Sequence, residues 1–160
     1  MVLRRKADSI DTAILRALVS NPDATNLAVS NASGLARNTV RSRLARFTDE
    51  DILRAFERRI DPAFLGYPLR AYVITRVTQR KLDQVCLVLA TVPEVLEVHG
   101  LAGVSDLLVH VVARDADDLY RIAGHILSID GVKRTNTGFV MRELVKYRIA
   151  QLIGSGDGAD

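Results

Sequence analysis

Residues 25–47 read TNLAVSNASGLARNTVRSRLARF. This pattern predicts two short helices joined by a tight turn at Gly34, because a residue without a Cβ adopts the left-handed backbone conformation most easily. After the turn, Val40, Leu44 and Phe47 follow the i, i+4, i+7 spacing of a single helix face. That apolar face can pack against another helix, while the other faces of the second helix stay in contact with solvent.

The remaining positions of the second predicted helix are basic or polar. Four arginines and no acidic residue lie between Arg37 and Arg46. Guanidinium and amide groups hold phosphates and read base edges, so the segment has the composition of the second helix of a DNA-binding helix-turn-helix. The alternative is an amphipathic helix whose basic face only contacts water, which is the usual meaning of a charge run.

Helix-turn-helix geometry assigns roles to the polar side chains of this helix. Its first, second and sixth residues face the groove, where an arginine can bind guanine and an asparagine can bind adenine. These groove-facing residues are Arg37, Asn38 and Ser42. The phosphate contacts are assigned to Thr39, Arg41, Arg43 and Arg46.

The uneven charge distribution supports a DNA-binding N-terminal part. The chain has 160 residues, enough for one ordinary domain or two small ones, and its net charge is +3. Residues 1–60 hold 11 Lys and Arg against 7 Asp and Glu, whereas residues 61–160 hold 11 against 12. We therefore expect a basic N-terminal domain that faces nucleic acid and a nearly neutral C-terminal domain with another task.

Several function classes lack support in the sequence. A single cysteine, Cys86, excludes an internal disulfide, and the three histidines are widely separated, without metal-ligand spacing. The sequence offers no nucleophile–base pair and no phosphate-binding glycine loop, so no catalytic residue, metal or cofactor is predicted. No apolar run approaches the roughly 20 residues of a membrane span, and no signal peptide is recognised, so we expect a soluble cytoplasmic protein.

The hydrophobic pattern divides the chain into two domains and a linker. A first helix opens at Asp8, a good N-cap, and Asp11 adds negative charge to its first turn. Residues 52–60 alternate between apolar and charged positions, which suggests a short strand or hairpin. The helix-turn-helix domain is therefore placed at 1–60, and the Pro- and Gly-containing segment 61–68 is interpreted as a linker.

The C-terminal part alternates between strand and helix periodicity. The predicted strands cover 69–78, 95–101, 106–113 and 132–144, and the predicted helices cover 80–92 and 115–129. The order β-α-β-β-α-β is that of the ferredoxin-like motif and gives an α+β chain. Two helices cover one face of such a sheet, so we expect a homodimer through the open face. The domain is placed at 69–153, followed by a flexible tail at 154–160.

The chain resembles the Lrp/AsnC, or feast/famine, transcription regulators over nearly its whole length. The family's opening motif corresponds to residues 7–15, ADSIDTAIL, and its helix-turn-helix motif to residues 29–36, VSNASGLA. Two later motifs correspond to residues 102–106, AGVSD, and to residues 131–137, GVKRTNT. The order and spacing of these motifs carry the resemblance.

The resemblance implies a winged helix-turn-helix domain that binds double-stranded DNA and a ferredoxin-like domain for effector binding and oligomerisation. It also implies dimers that assemble into rings, often octamers, and an amino acid or similar metabolite bound between dimers. The residues that match the family's effector site are Gly103, Val104, Ser105, Asp106, Thr135 and Thr137. For the loop, the residues themselves leave a second interpretation open, in which Gly103 and Asp106 only shape a hairpin.

The predicted function is a sequence-specific DNA-binding transcription regulator modulated by an amino acid or a related metabolite. Ala36 departs from the family, which has a serine as N-cap of the recognition helix, and Ala102 and Ser105 depart from its sensing loop. The alternative function is a metabolite-binding oligomer or a DNA-architectural protein with weak or non-specific DNA binding. Salt-sensitive and sequence-selective DNA binding distinguishes the two.

Overall fold

The computed structural model describes residues 6–154, which form two compact units. The first consists of residues 6–55 and 145–154, and the second of Phe56–Leu144. This division differs from the predicted domain limits at 60, 68 and 153. The chain returns to the first unit near its end, where Arg16 Nη2 donates to the carbonyl of Ile153 at 3.3 Å. Of the predicted tail, residues 155–160 lie outside the described part of the chain.

The first unit is built on three helices, α1 (Ser9–Ser20), α2 (Asn26–Ser33) and α3 (Arg37–Asp49). The turn between α2 and α3 is the predicted one, because Gly34 has a φ of 69° and ends α2 in the left-handed conformation. The apolar faces of the three helices meet in one core. Its buried members are Ile14, Val29, Val40 and Phe47.

The strand or hairpin predicted within residues 52–60 is wrong. Asp51 follows α3 with a φ of 52°, and the amides of Ile52 and Leu53 both donate to the carbonyl of Phe47, at 2.8 and 3.3 Å. These amides close the end of the helix and are therefore not available to a strand partner. Farther on, Phe56–Arg59 forms a short 3-10 helix, and a second one, Pro62–Leu65, lies within the predicted linker.

The second unit has the predicted βαββαβ order. Its elements are β1 (Leu69–Val77), α4 (Leu82–Leu89), β2 (Val95–Gly100), β3 (Leu107–Ala113), α5 (Ala116–Ser128) and β4 (Val132–Phe139). The four strands form an antiparallel sheet in the order β2-β3-β1-β4. The last strand, β4, ends at Phe139, five residues before the predicted limit at 144. Ahead of α4, residues 79–81 form a short 3-10 helix.

The two faces of the sheet differ in burial. Along β1, Ala71, Val73, Thr75 and Val77 are buried, whereas Tyr72 and Ile74 are each 39% exposed. The buried side chains pack with the apolar faces of α4 and α5 in a single core. Both helices thus lie on one face, as the alternation along β1 requires, and the opposite face is the open face of the sheet. Within residues 6–154, no helix combines the length and the apolarity that a membrane crossing needs.

Candidate functional site

The outward face of α3 presents a row of polar side chains. Val40 and Phe47 fix the opposite face in the core, and the helical period then turns a second set of positions toward solvent. The exposed polar residues on this face are Arg37, Asn38, Arg41 and Ser42. All three residues predicted to face the DNA groove belong to this set, and Thr39 lies beside it, half-buried.

The start of α3 lacks a side-chain cap. Ala36 occupies the N-cap position with an extended backbone, φ −64° and ψ 142°, and no side chain accepts from the first-turn amides there. In α2, by contrast, Thr25 Oγ1 accepts from the amide of Ala28 at 3.2 Å. The departure from the family serine therefore leaves the N-terminus of the recognition helix without the hydrogen bond that a hydroxyl would supply.

Arg43 and Arg46 differ from the other arginines of α3, because their guanidinium groups contact carboxylates within the same unit. Arg43 Nη1 donates to Asp8 Oδ2 at 2.6 Å and to Asp11 Oδ1 at 2.8 Å. Arg46 Nη2 donates to the same Asp11 oxygen at 2.6 Å. We call these four residues the brace. Their geometry favours a structural role for both arginines over the phosphate contact predicted from the sequence.

The brace keeps the carboxylate of Asp11 ionised. Burial by itself would raise the pKa of Asp11, but hydrogen bonds from Arg43 and Arg46 outweigh it and bring the pKa below its ordinary value. The pKa of Arg43 is raised, first by its hydrogen bond to Asp8 and then by that to Asp11. The sequence pattern identified Asp8 and Asp11 only as residues of a helix start. The signal for the pairing would have been two acids at the start of one helix and four arginines without an acid within residues 37–46 of a later helix.

The loop between β2 and β3 contains four of the predicted effector residues. Gly103 has a φ of 123°, a conformation that favours glycine, and a Cβ built there would meet no atom within 4 Å. Val104 is 86% exposed. Asp106 is half-buried, and its carboxylate accepts from the amide of Val77 at 2.8 Å and from Gln79 Nε2 at 2.7 Å. It thereby ties the loop to the end of β1, two contacts that the sequence pattern did not reveal.

The remaining effector candidates lie on the edge strand β4. On β1, Thr75 pairs with Thr135, and Val73 pairs with Thr137. The carbonyl of Thr75 also accepts from the amide of Asp106 at 3.0 Å. Thr135 and Asp106 therefore stand on either side of β1, about 10 Å apart by two strand spacings. Thr137 lies two residues farther along the strand and is exposed.

Side chains typical of metal or redox chemistry do not converge in the described part of the chain. Within residues 6–154, no group of three His, Cys, Asp or Glu side chains is placed to hold a metal ion. Cys86 is half-buried and packs against the core of the second unit. Its environment is that of a small apolar residue.

Two family models match the chain, each over one of its halves. A model for winged helix-turn-helix DNA-binding domains matches residues 8–54, and a model for the Lrp/AsnC ligand binding domain matches residues 70–150. The first match contains α1, α2 and α3, and the second contains the four-stranded sheet, apart from Leu69 at the start of β1, and its two helices.

Relatives from archaea and bacteria align over most of their own length. The HTH-type transcriptional regulator FL11 of Pyrococcus horikoshii is 30% identical over 140 residues, which cover 88% of this chain and 93% of that protein. AldR of Mycolicibacterium smegmatis, also an HTH-type transcriptional regulator, is 32% identical over 147 residues, 89% of this chain and 86% of that one.

A solved structure of similar fold is that of a transcriptional regulator from Neisseria meningitidis in complex with L-methionine. It shares 24% identity, covers 88% of this chain and 94% of its own, and superposes with a TM-score of 0.76. By the two matched models and the archaeal and bacterial relatives, the protein belongs to the Lrp/AsnC family of DNA-binding transcription regulators.

Proposed function

We propose that this regulator binds its operator through the outward face of α3, as a homodimer, and that a free amino acid modulates the binding. The observation that carries the proposal is the exposed row of Arg37, Asn38, Arg41 and Ser42 on a helix whose opposite face is fixed in a core. A rigid helix with donors on its free face is what insertion into the major groove requires.

Each exposed side chain has a role that fits its chemistry. Arg37 is suited to the paired acceptors of guanine, and Asn38 to the donor and acceptor of adenine. Arg41 and Thr39 supply phosphate contacts, and Ser42 lies on the groove-facing side. The free amides at the uncapped start of α3 add donors for a phosphate in the same place.

A second copy of the chain is the proposed partner of the open sheet face. Tyr72 and Ile74 stand exposed in the middle of that face, on the central strand β1. Apolar side chains on a sheet face are stabilised when a second layer covers them, and a two-fold dimer supplies that layer from the same sequence. Two recognition helices in one dimer would read half-sites about one DNA turn, ~34 Å, apart. Assembly of dimers into an octamer is the further expectation, to be tested by light scattering.

The loop between β2 and β3, residues 101–106, is the proposed place of effector binding. The glycine conformation at 103 and the exposure of Val104 leave backbone groups accessible to a small carboxylate, and Ser105 adds a hydroxyl. Asp106 is already bonded to Val77 and Gln79, so we assign it the part of holding the loop in position. The regulator from Neisseria meningitidis was solved with L-methionine, which makes methionine the first amino acid to test.

The experiment is a binding titration on the DNA upstream of the protein's own gene and on random DNA, at two salt concentrations. Each titration is repeated with a panel of free amino acids that includes L-methionine. We expect tighter binding to the upstream DNA, with a steep salt dependence, and a change in affinity with one amino acid. Specific binding that no amino acid changes would contradict the effector proposal alone. Equal binding to both DNAs at both salt concentrations would contradict the operator proposal.

A further inference from the structure

The two carboxylates of the brace are held in position by hydrogen bonds at the start of α1. Asp8 Oδ1 accepts from the amide of Asp11 at 2.8 Å, and Asp11 Oδ2 accepts from the amide of Asp8 at 3.2 Å. The two acids thus form a reciprocal capping box. This leaves one oxygen on each acid, Asp8 Oδ2 and Asp11 Oδ1, and these are the oxygens that bind the arginines.

The two arginines reach the capping box from α3. They lie three residues apart, so that they occupy neighbouring positions on successive turns of one helix face. Arg43 Nη1 contacts both acids, and Arg46 Nη2 contacts only Asp11. Asp11 is nearly inaccessible, with 4% of its side chain exposed, whereas the arginine side chains are 21% and 25% exposed. The pairs therefore lie at the boundary between the core and solvent, where an ion pair is only partly screened.

Arg46 has a second contact that restricts it. Its guanidinium carbon lies 5.6 Å from the ring centroid of Phe47, and its Nε is buried, with no hydrogen-bond partner among the described residues. Since Phe47 is itself a core residue at 1% exposure, the guanidinium is held between the core and Asp11. To reach a DNA phosphate, Arg46 would have to give up its ion pair with a nearly inaccessible carboxylate, which would then keep only its contact with Arg43. Breaking such a partly buried ion pair is costly.

We infer that Asp8 and Asp11 are positioning residues for DNA recognition, which hold Arg43 and Arg46 so that these arginines set the orientation of α3 and do not bind phosphates. The inference rests on the proposed use of α3 as the recognition helix. It divides the four arginines of α3 into two classes, Arg37 and Arg41 for DNA and the two brace arginines for orientation.

The two classes differ in a measurable way. A phosphate contact contributes to affinity on every DNA and adds about 0.9 to the slope of log K against log salt. An orientation contact adds nothing to that slope, but a poorly oriented helix loses hydrogen bonds to base edges, which lowers the preference for the operator.

The test compares Arg43→Gln and Arg46→Gln with Arg41→Gln, on the upstream DNA and on random DNA over a salt series. All proteins are used at conditions where circular dichroism shows them fully folded. Arg41→Gln is expected to lower the magnitude of the salt slope by about one on both DNAs. The two brace variants are expected to keep the wild-type slope and to lower the ratio of operator to random affinity roughly five-fold, the effect of one lost hydrogen-bonded pair.

If a brace arginine is needed for folding, a substitution at one of the two brace acids provides a second test. Asp8→Asn removes one contact to Arg43 and leaves Asp11 in place, and Asp8 is 32% exposed. A folded Asp8→Asn protein is expected to show the same fall in the affinity ratio. An unchanged ratio in this variant would overturn the inference.

Two other results separate the inference from the function on which it rests. If Arg43→Gln and Arg46→Gln lower the slope as Arg41→Gln does, with an unchanged ratio, the brace arginines bind phosphates and only the inference fails. If the wild-type protein does not prefer the upstream DNA, the proposed operator binding fails first.

Discussion

His110 stacks on Tyr72 across neighbouring strands on the open face of the sheet. The two ring centroids lie 4.8 Å apart, and the ring planes are inclined by 19°. The residues are directly paired in the register of β1 and β3. His110 Nε2 is buried and finds no hydrogen-bond partner among the described residues. The stack therefore favours a neutral imidazole, because a charged ring would need solvent or an acceptor.

The protein should become less stable as the pH is lowered through the range in which histidine ordinarily titrates. Burial lowers the pKa of His110, with smaller effects of the same sign from Arg70 and His99 and an opposing one from Glu97. The unfolded chain then binds the proton more readily than the folded chain. The free energy of unfolding should decline as pH drops from about 7 to about 5.5. The measurement is urea unfolding at several pH values and one fixed protein concentration.

The contribution of His110 can be isolated by substitution. His110→Gln should flatten the decline, because the unfolded and folded chains no longer differ at this site. His125→Gln is the matched control, since His125 is an exposed residue in the last turn of α5. A decline as steep in His110→Gln as in the wild type would contradict the prediction.

Asp11→Asn should destabilise the first unit by about 2 to 3 kcal/mol. It removes the carboxylate that two arginines share, so that Arg46 loses this counter-charge and Arg43 keeps only Asp8, a loss discounted here for the partial exposure of both arginines. Asp49→Asn is the control, because this exposed acid at the end of α3 should change stability by no more than about 0.5 kcal/mol. Unfolding by guanidinium chloride measures both.

The acid limb of the stability curve gives a second readout for Asp11. Because hydrogen bonds lower its folded pKa, its stabilising effect is present above the ordinary pKa of aspartate and is lost as pH falls through the folded value. Asp11→Asn should therefore lose less stability than the wild type below about pH 4. Parallel acid limbs for the two proteins would show that Asp11 is not held ionised by the arginines.

The helix-turn-helix and the order of strands and helices in the second unit were predictable because local pattern decides them. Gly34 marks the turn by its own conformational preference, and the alternation of buried and exposed residues along β1 follows from its single covered face. Residues 52–60 show a similar alternation but have no strand partner. There the local pattern could not decide, since a strand is stabilised only by what it pairs with.

The contacts of the predicted site residues could not be predicted from the sequence pattern, because long side chains often bind residues that are distant in the sequence. Arg43 and Arg46 occupy polar positions of a basic helix, like Arg41, and only the fold brings them to acids 32 to 35 residues earlier. Asp106 likewise binds Gln79, 27 residues away, where the sequence suggested a contact with the effector or a local turn.

A cap introduced at the start of α3 should stabilise the protein. Ala36→Ser places a hydroxyl at an N-cap that already has an extended backbone, so that it can accept from a first-turn amide at a gain of about 1 kcal/mol. The reverse change at the neighbouring helix is the matched comparison. Thr25→Ala removes an existing cap and should cost about the same amount. Opposite shifts of the urea midpoint are expected, and an Ala36→Ser midpoint at or below the wild-type value would contradict the argument.

Val104→Asp should abolish the response to an amino acid effector while DNA binding without effector persists. Val104 is 86% exposed at the tip of the loop between β2 and β3, so a polar side chain is tolerated there. A carboxylate at this position would repel the carboxylate of a bound amino acid and weaken its binding. Leu87→Asp is the control, because Leu87 is 72% exposed on α4 and is not among the predicted effector residues. Both variants are compared with the wild type by titrating the active amino acid into the complex with upstream DNA. An undiminished response in Val104→Asp would place the effector elsewhere than this loop, and loss of response in Leu87→Asp as well would attribute the effect to added charge in general.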